Sequence, residues 1–177
     1  VVGNAYGFVG NAMYASYGRE AQMLLLEGAT PEQVDKAMTD WGMAMGPFAV
    51  NDLSGIDIAY KARRENPNLP DDPCYFRPAD LMVEAGRLGH KTGVGFYHYS
   101  AATGERQADP DAVELIRSEA IKLGVNQREN IADTEIQQRL AMALIQQGKA
   151  LLQRGIASRA SDIDVIYVYG YGFPLYR

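Results

Sequence analysis

Two stretches of this chain hold the residue types from which a binding site is made. The first, Gly3-Asn4-Ala5-Tyr6-Gly7-Phe8-Val9-Gly10-Asn11-Ala12, gathers glycines and an amide. Its glycines at 3, 7 and 10 miss the G-x-G-x-x-G spacing that wraps a dinucleotide pyrophosphate, and no strand of adequate length precedes them in this chain. With a helix starting near Tyr6, Val9, Met13, Tyr17, Ala21 and Leu24 fall on one face as a core stripe, while Gly7, Asn11, Ala15 and Gly18 line another. That second face is a groove of small residues with one amide in it. It admits a ligand or another backbone closely, and Asn11 offers both a donor and an acceptor to whatever lies there. The pattern alone favours packing, with Asn11 bonded to a neighbouring loop, over a ligand.

The second stretch is Gly86-Arg87-Leu88-Gly89-His90-Lys91-Thr92-Gly93-Val94-Gly95-Phe96-Tyr97. A phosphate-binding Walker A loop needs glycine directly before its lysine and lies between a strand and a helix. Here His90 intervenes, and the segment follows a helix and leads into aromatics. What remains is a glycine-rich basic turn whose amides and Lys91 can meet an anion, or a structural turn with exposed charges, which sequence grounds favour.

Other chemistry finds little support. His90 and His98 are the only imidazoles, and no Ser-His-Asp or Cys-His motif includes them. Asp35, Asp52, Asp57, Asp162 and Asp164 read as residues at helix starts or on exposed faces, where capping and the helix dipole account for them. Two histidines and the single Cys74 lack metal-site spacing, and one thiol cannot form an internal disulfide. With 22 acidic against 17 basic residues in 177, and a formal charge of −5, there is no basic footprint for nucleic acid or an anionic membrane. No apolar run is long enough to span a bilayer, and no signal peptide is legible, so a soluble intracellular protein is expected. The chain begins at Val1 rather than Met and reads as part of something larger.

Helices must position these stretches. Thr30-Pro31-Glu32-Gln33 predicts a capping box opening a helix with Val34, Ala37, Met38 and Trp41 inward and Gly42 as its stop. Asp109-Pro110 and Gly124 bracket another, with Val113, Ile116, Ala120 and Leu123 inward. Thr134-Glu135-Ile136-Gln137 predicts a second capping box, opening a helix that ends at Gly155. Four of the eight prolines lie between Asn66 and Pro78, marking a loop, and only short runs such as Gly95 to Tyr99 read as extended. The fold class is all-α. A weak repeat links Leu25-Leu26-Glu27-Gly28, Val34-Asp35, Gly42 and Gly46-Pro47-Phe48 with Leu151-Leu152-Gln153-Arg154-Gly155, Ile163-Asp164, Gly170 and Gly172-Phe173-Pro174. We divide the chain into a first helical domain (1–100), a linker and connecting helix (101–130) and a truncated second repeat (131–177).

Gly7-Phe8-Val9-Gly10-Asn11, Glu20-Ala21, Leu25-Leu26-Glu27-Gly28, Met45-Gly46-Pro47-Phe48, Asp52-Leu53-Ser54-Gly55-Ile56-Asp57 and Gly89-His90-Lys91-Thr92-Gly93-Val94-Gly95-Phe96-Tyr97 together resemble the C-terminal helical domain of 3-hydroxyacyl-CoA dehydrogenases. That domain has the fold also found at the C-terminus of 6-phosphogluconate dehydrogenase. The remainder resembles the duplicated domain of multifunctional fatty-acid oxidation enzymes, most closely the peroxisomal bifunctional type, which join an enoyl-CoA hydratase to the dehydrogenase. The resemblance implies a fragment of an NAD-dependent oxidoreductase acting on acyl-CoA, inactive alone. An upstream Rossmann domain would hold the NAD and supply a His-Glu pair for the substrate hydroxyl proton. Asn11 falls on the family's catalytic asparagine near the substrate carbonyl, and Lys91 on a lysine that approaches the cofactor. Ala12 stands where the family usually has Arg, and Gln146-Gln147 replace the usual Asn-Glu pair of the second repeat. The rival reading is a noncatalytic helical assembly module. A homo-oligomer is expected of a piece lacking its remainder. Bacterial cytoplasm is the expected location, with the peroxisome as the alternative.

Overall fold

A computed structural model describes residue 3 and residues 8–176. The predicted helix start at Tyr6, and Gly7 of the small-residue face, lie outside them. Among the described residues eight helices follow one another: α1 (Phe8–Glu27), α2 (Pro31–Trp41), α3 (Pro47–Ser54), α4 (Ile56–Arg64), α5 (Arg77–Glu84), α6 (Pro110–Lys122), α7 (Asp133–Gln153) and α8 (Ala160–Tyr171). A 3-10 turn over His90–Thr92 and a two-residue antiparallel pair, β1 (His98–Tyr99) with β2 (Arg106–Gln107), complete the described elements. The extended run expected from Gly95 shrinks to β1, because Gly95 to Tyr97 turn sharply around a buried carboxylate described below.

α1 is the central element, and its most extensive neighbour is α7. The predicted stripe Val9, Met13, Tyr17, Ala21 and Leu24 is buried, as are Ile136, Leu140, Leu144 and Leu151 on α7. The small-residue face behaves differently. Asn11 and Ala15 are exposed, and Gly18 alone of that face is buried, against the ring of Phe76. One end of the α1–α7 contact is held by charge. Arg139 on α7 donates to both carboxylate oxygens of Glu27 at 2.6 and 2.7 Å and to Glu20 at 2.6 Å.

Thr30 caps α2 as expected, its hydroxyl accepting from Gln33 N at 3.2 Å. The reciprocal half of the predicted box is missing. Gln33 Nε2 instead donates to the carbonyl of Ile131 at 2.7 Å. The second predicted box is overturned: α7 starts at Asp133 with Ala132 as its uncapped boundary residue. Gln137 reaches across to the carbonyl of Ala37 at 2.9 Å, and Glu135 pairs with Arg128. Tertiary partners have claimed the side chains that local capping would use. Asp109 caps α6 as expected, accepting from Asp111 N and Ala112 N.

A long helix followed by a short one occurs twice. α1 and α2 have 20 and 11 residues, and α7 and α8 have 21 and 12. Left-handed Gly155 follows α7 where Gly28, also at positive φ, follows α1. The partner of Gly42 is Gly172, which ends α8, rather than Gly170, which lies inside it.

Candidate functional site

Asn11 sits one turn into α1, on its exposed side. Its Oδ1 accepts a 2.6 Å hydrogen bond from the hydroxyl of Tyr171, near the end of α8. Gly10 makes this possible. A Cβ at Gly10 would collide with the Tyr171 ring, so a side chain there would expel the tyrosine. Tyr171 is also stacked on Tyr167, with ring centroids 4.9 Å apart and planes 13° apart, and tilted against Tyr14 at 6.0 Å. Tyr167 donates weakly to the carbonyl of Gly10 at 3.5 Å. Burial raises the Tyr171 hydroxyl above the usual tyrosine range, which keeps it protonated and a donor. Asn11 is therefore bonded neither to a loop nor within a closed packing seam. It is an exposed amide with one oxygen held.

Lys91 lies in the 3-10 turn, half-exposed, and its ammonium pairs with Asp57 in the first turn of α4. Asp57 also accepts from Lys61 at 3.2 Å, and the two cations hold its carboxyl below the usual range. The turn is shaped by its glycines. Gly89 has φ +94°, and a Cβ there would strike the backbone of Asp52, while one at Gly95 would strike the Asp52 carboxylate. Thr92 closes the turn by accepting from Leu88 N at 3.0 Å and donating to the carbonyl of Val94 at 2.9 Å. Arg87 braces it from outside, bonding the carbonyl of Gly95 and pairing with Asp109.

Two residues assigned from sequence to surfaces or helix starts prove to be interior. Asp35 is 3% exposed and Asp52 1%. Asp35 accepts from the backbone N–H groups of Phe48 and Ala49 at 2.8 Å each, so it caps α3, which has no side-chain cap of its own. It also accepts from the hydroxyl of Tyr97 at 2.8 Å. Asp52, inside α3, accepts from Phe96 N at 2.9 Å, Tyr97 N at 3.0 Å and the Tyr99 hydroxyl at 3.1 Å. Burial outweighs these bonds for both carboxyls, raising Asp35 and lifting Asp52 to about 6. Together they hold the aromatic turn against α3, and Phe48 packs on Phe96 with centroids 4.7 Å apart. Sequence carried little signal for this: Asp35 stands between Val34 and Lys36 and Asp52 between Asn51 and Leu53, inside helices rather than at their ends. Gln22, 2% exposed, plays the same part for α5, accepting from Ala79 N at 2.8 Å.

The arrangement leaves Asn11 and Lys91 on separate supports, the first tied to α8 and the second to α4. No bond among the described residues joins them. Both histidines are exposed, and His90 lies edge-on to Tyr99 at 5.0 Å. Among the described residues no nest of glycine amides is built at a helix N-terminus, and both cations of the glycine-rich stretch, Arg87 and Lys91, are already paired, with Asp109 and Asp57. The donors of the described residues do not make a dinucleotide pocket.

Residues 7–99 match the family model described as 3-hydroxyacyl-CoA dehydrogenase, C-terminal domain. The peroxisomal bifunctional enzyme of Danio rerio is 42% identical over 99% of this chain and 26% of its own length. The glyoxysomal fatty acid beta-oxidation multifunctional protein MFP-a of Brassica napus is 33% identical, over all of this chain and 25% of its own. The chain thus spans about a quarter of the length of these curated relatives. Among solved structures, the dehydrogenase part of multifunctional enzyme 1 from C. elegans superposes with a TM-score of 0.78 at 30% identity, covering 98% of this chain and 38% of that one. The 3-hydroxybutyryl-CoA dehydrogenase of Escherichia coli shares the fold, with a TM-score of 0.62 at 20% identity over 94% of this chain and 50% of that one.

Proposed function

Because the chain belongs to the family of 3-hydroxyacyl-CoA dehydrogenase C-terminal domains, we propose that it is the helical part of a longer fatty-acid oxidation enzyme and orients the acyl-CoA for dehydrogenation. The observation that carries this reading is Asn11, an exposed amide with a fixed oxygen at the start of the central helix. A group held this way aligns a bound carbonyl without reorganising, which is how a positioning amide lowers a barrier. Asn11 is the residue we assign to the reacting centre.

The remaining chemistry belongs elsewhere in that enzyme. NAD, the hydride acceptor, would be held mainly by a Rossmann domain, since the described residues here build no pyrophosphate-binding loop. Lys91 would reach the cofactor from the helical side only by sharing its charge with Asp57. We assign residues 1–100 to the substrate-orienting unit, 101–130 to the connection and 131–177 to a second copy of its first two helices. The paired lengths of α1 and α2 with α7 and α8 support this division. The names of the relatives favour the peroxisome over the bacterial cytoplasm.

The test is NADH oxidation with acetoacetyl-CoA by the longer reading frame, wild type against Asn11→Ala at matched folding. An active wild type and a variant with kcat reduced roughly 10- to 100-fold are expected, the loss of one positioning contact. An inactive wild type removes the dehydrogenase reading, and an equally active variant removes Asn11 from the site. This chain alone is expected to be inactive.

A second reading, a noncatalytic module that assembles into homo-oligomers, has its own observation. An apolar groove of about 400 Å³ runs between α7 and α8, lined by Met13, Leu144, Leu152, Ile163, Tyr167 and Phe173. Sedimentation of the chain tests it, and a monomer at all concentrations removes it.

A further inference from the structure

The amide of Asn11 has two ends, and only one meets a described protein partner. Oδ1 accepts from Tyr171, whereas among the described residues Nδ2 is bonded to no acceptor. The opposite orientation is disfavoured by the tyrosine. With the amide turned over, Nδ2 would donate to the phenol oxygen, and the phenol hydrogen, beside the rings of Tyr14 and Tyr167, would exchange its protein acceptor for solvent. The tyrosine itself is fixed by that stack and by the missing side chain at Gly10.

We propose that Tyr171 is a positioning residue for the reaction: by donating to Oδ1 it turns the two hydrogens of Nδ2 outward, so that Asn11 meets the acyl-CoA as a donor to a carbonyl oxygen. This rests on the assignment of Asn11 to the reacting centre. The chemistry selected is an acceptor oxygen, as in a thioester or a 3-oxo group. The inference also gives α8 a part in a site otherwise built on α1. The second helical pair does more than cover the first, because it supplies the hydroxyl that sets the polarity of the amide.

Tyr171→Phe removes the hydroxyl and keeps the ring stack. Two readouts test it. The first is ¹⁵N relaxation of the Asn11 side-chain amide in this chain. It is expected to be as ordered as the helix backbone in wild type and to fall to a side-chain order parameter below about 0.6 in the variant. The second is kinetics of the longer enzyme with acetoacetyl-CoA. There kcat is expected to fall roughly three- to tenfold, the loss of one hydrogen bond, with KM changed less than about twofold. The same substitution in an Asn11→Ala background should have no further effect. Gly10→Ala, which displaces the ring, should reproduce the disorder. An amide that stays ordered in Tyr171→Phe overturns the proposal, as does unchanged kcat in an enzyme that Asn11→Ala slows. If Asn11→Ala is itself silent, the assignment of Asn11 fails and takes the catalytic part of the proposal with it. That failure is distinguishable, because the relaxation data still report whether Tyr171 holds the amide.

Discussion

Asp52 gives a pH dependence opposite to that of ordinary acid unfolding. Its carboxyl is lifted from 3.8 to about 6 by burial, in spite of three hydrogen bonds. Between those values the folded chain binds this proton more tightly than the unfolded chain does. Stability contributed by the group is therefore full at acid pH and is lost as pH rises through 6. At 1.36 kcal/mol per pH unit the loss is about 3 kcal/mol in full, of which about 2 kcal/mol falls between pH 4 and 7.5. Other carboxyls, such as Asp57 and Glu135, are shifted downward and act in the opposite sense, so the wild-type profile alone cannot isolate Asp52. The difference between wild type and Asp52→Asn does. The amide faces the Tyr97 N–H with a donor where an acceptor stood, which sets an offset of about 1–3 kcal/mol against the variant at pH 4. On raising the pH to 7.5 the difference should move toward the variant by about 2 kcal/mol. Urea unfolding at closely spaced pH values, with equal m-values, measures it. A difference that stays flat, or moves toward wild type as pH rises, would show that the three hydrogen bonds outweigh burial and would refute the reasoning.

Arg139→Ala should destabilise the chain by about 2 kcal/mol, because three charge-assisted bonds to Glu20 and Glu27 are lost, and the effect should shrink in 1 M salt. Chemical denaturation at two salt concentrations checks this. Gln22→Leu leaves the buried Ala79 N–H without an acceptor and should cost about 1–3 kcal/mol, whereas Gln22→Glu keeps the acceptor and should separate from it at neutral pH in the same assay. Lys91→Gln should raise the Asp57 carboxyl pKa toward its ordinary value, since Lys91 is the first cause of its depression. Carboxyl ¹³C titration reads the change, and an unmoved Asp57 would show that Lys61 alone holds it.

The helices were legible where burial follows a 3.6-residue period and where a cap acts locally. The stripe of α1 and the caps at Thr30 and Asp109 are of this kind. What periodicity could not show is where a polar side chain goes when it leaves its own helix. Thr134 to Gln137 has the residue types of a capping box, but Gln137 and Glu135 reach other elements. Asp35 and Asp52 have the composition of surface acids, and only the approach of other elements, the start of α3 and Tyr97 for Asp35 and the aromatic turn for Asp52, makes interior acceptors of them. Asn11 stood out through the small residues around it. Its partner Tyr171, 160 positions away, carried no sequence signal except the glycine that makes room for it. Lys91 was visible as the cation of a glycine-rich turn, but its pairing with Asp57 depends on how α4 approaches that turn.

The crossed glutamines bear on cooperativity. Gln33 on α2 supports the carbonyl of Ile131 just before α7, and Gln137 on α7 supports the carbonyl of Ala37 inside α2. Each side-chain amide donates to a backbone carbonyl of the opposite helical pair, so both bonds exist only when the two pairs are docked. Neither helical pair is then an autonomous folding unit. Denaturation should proceed in one transition, with the amides of α7 exchanging by global unfolding rather than by separate release of the second pair.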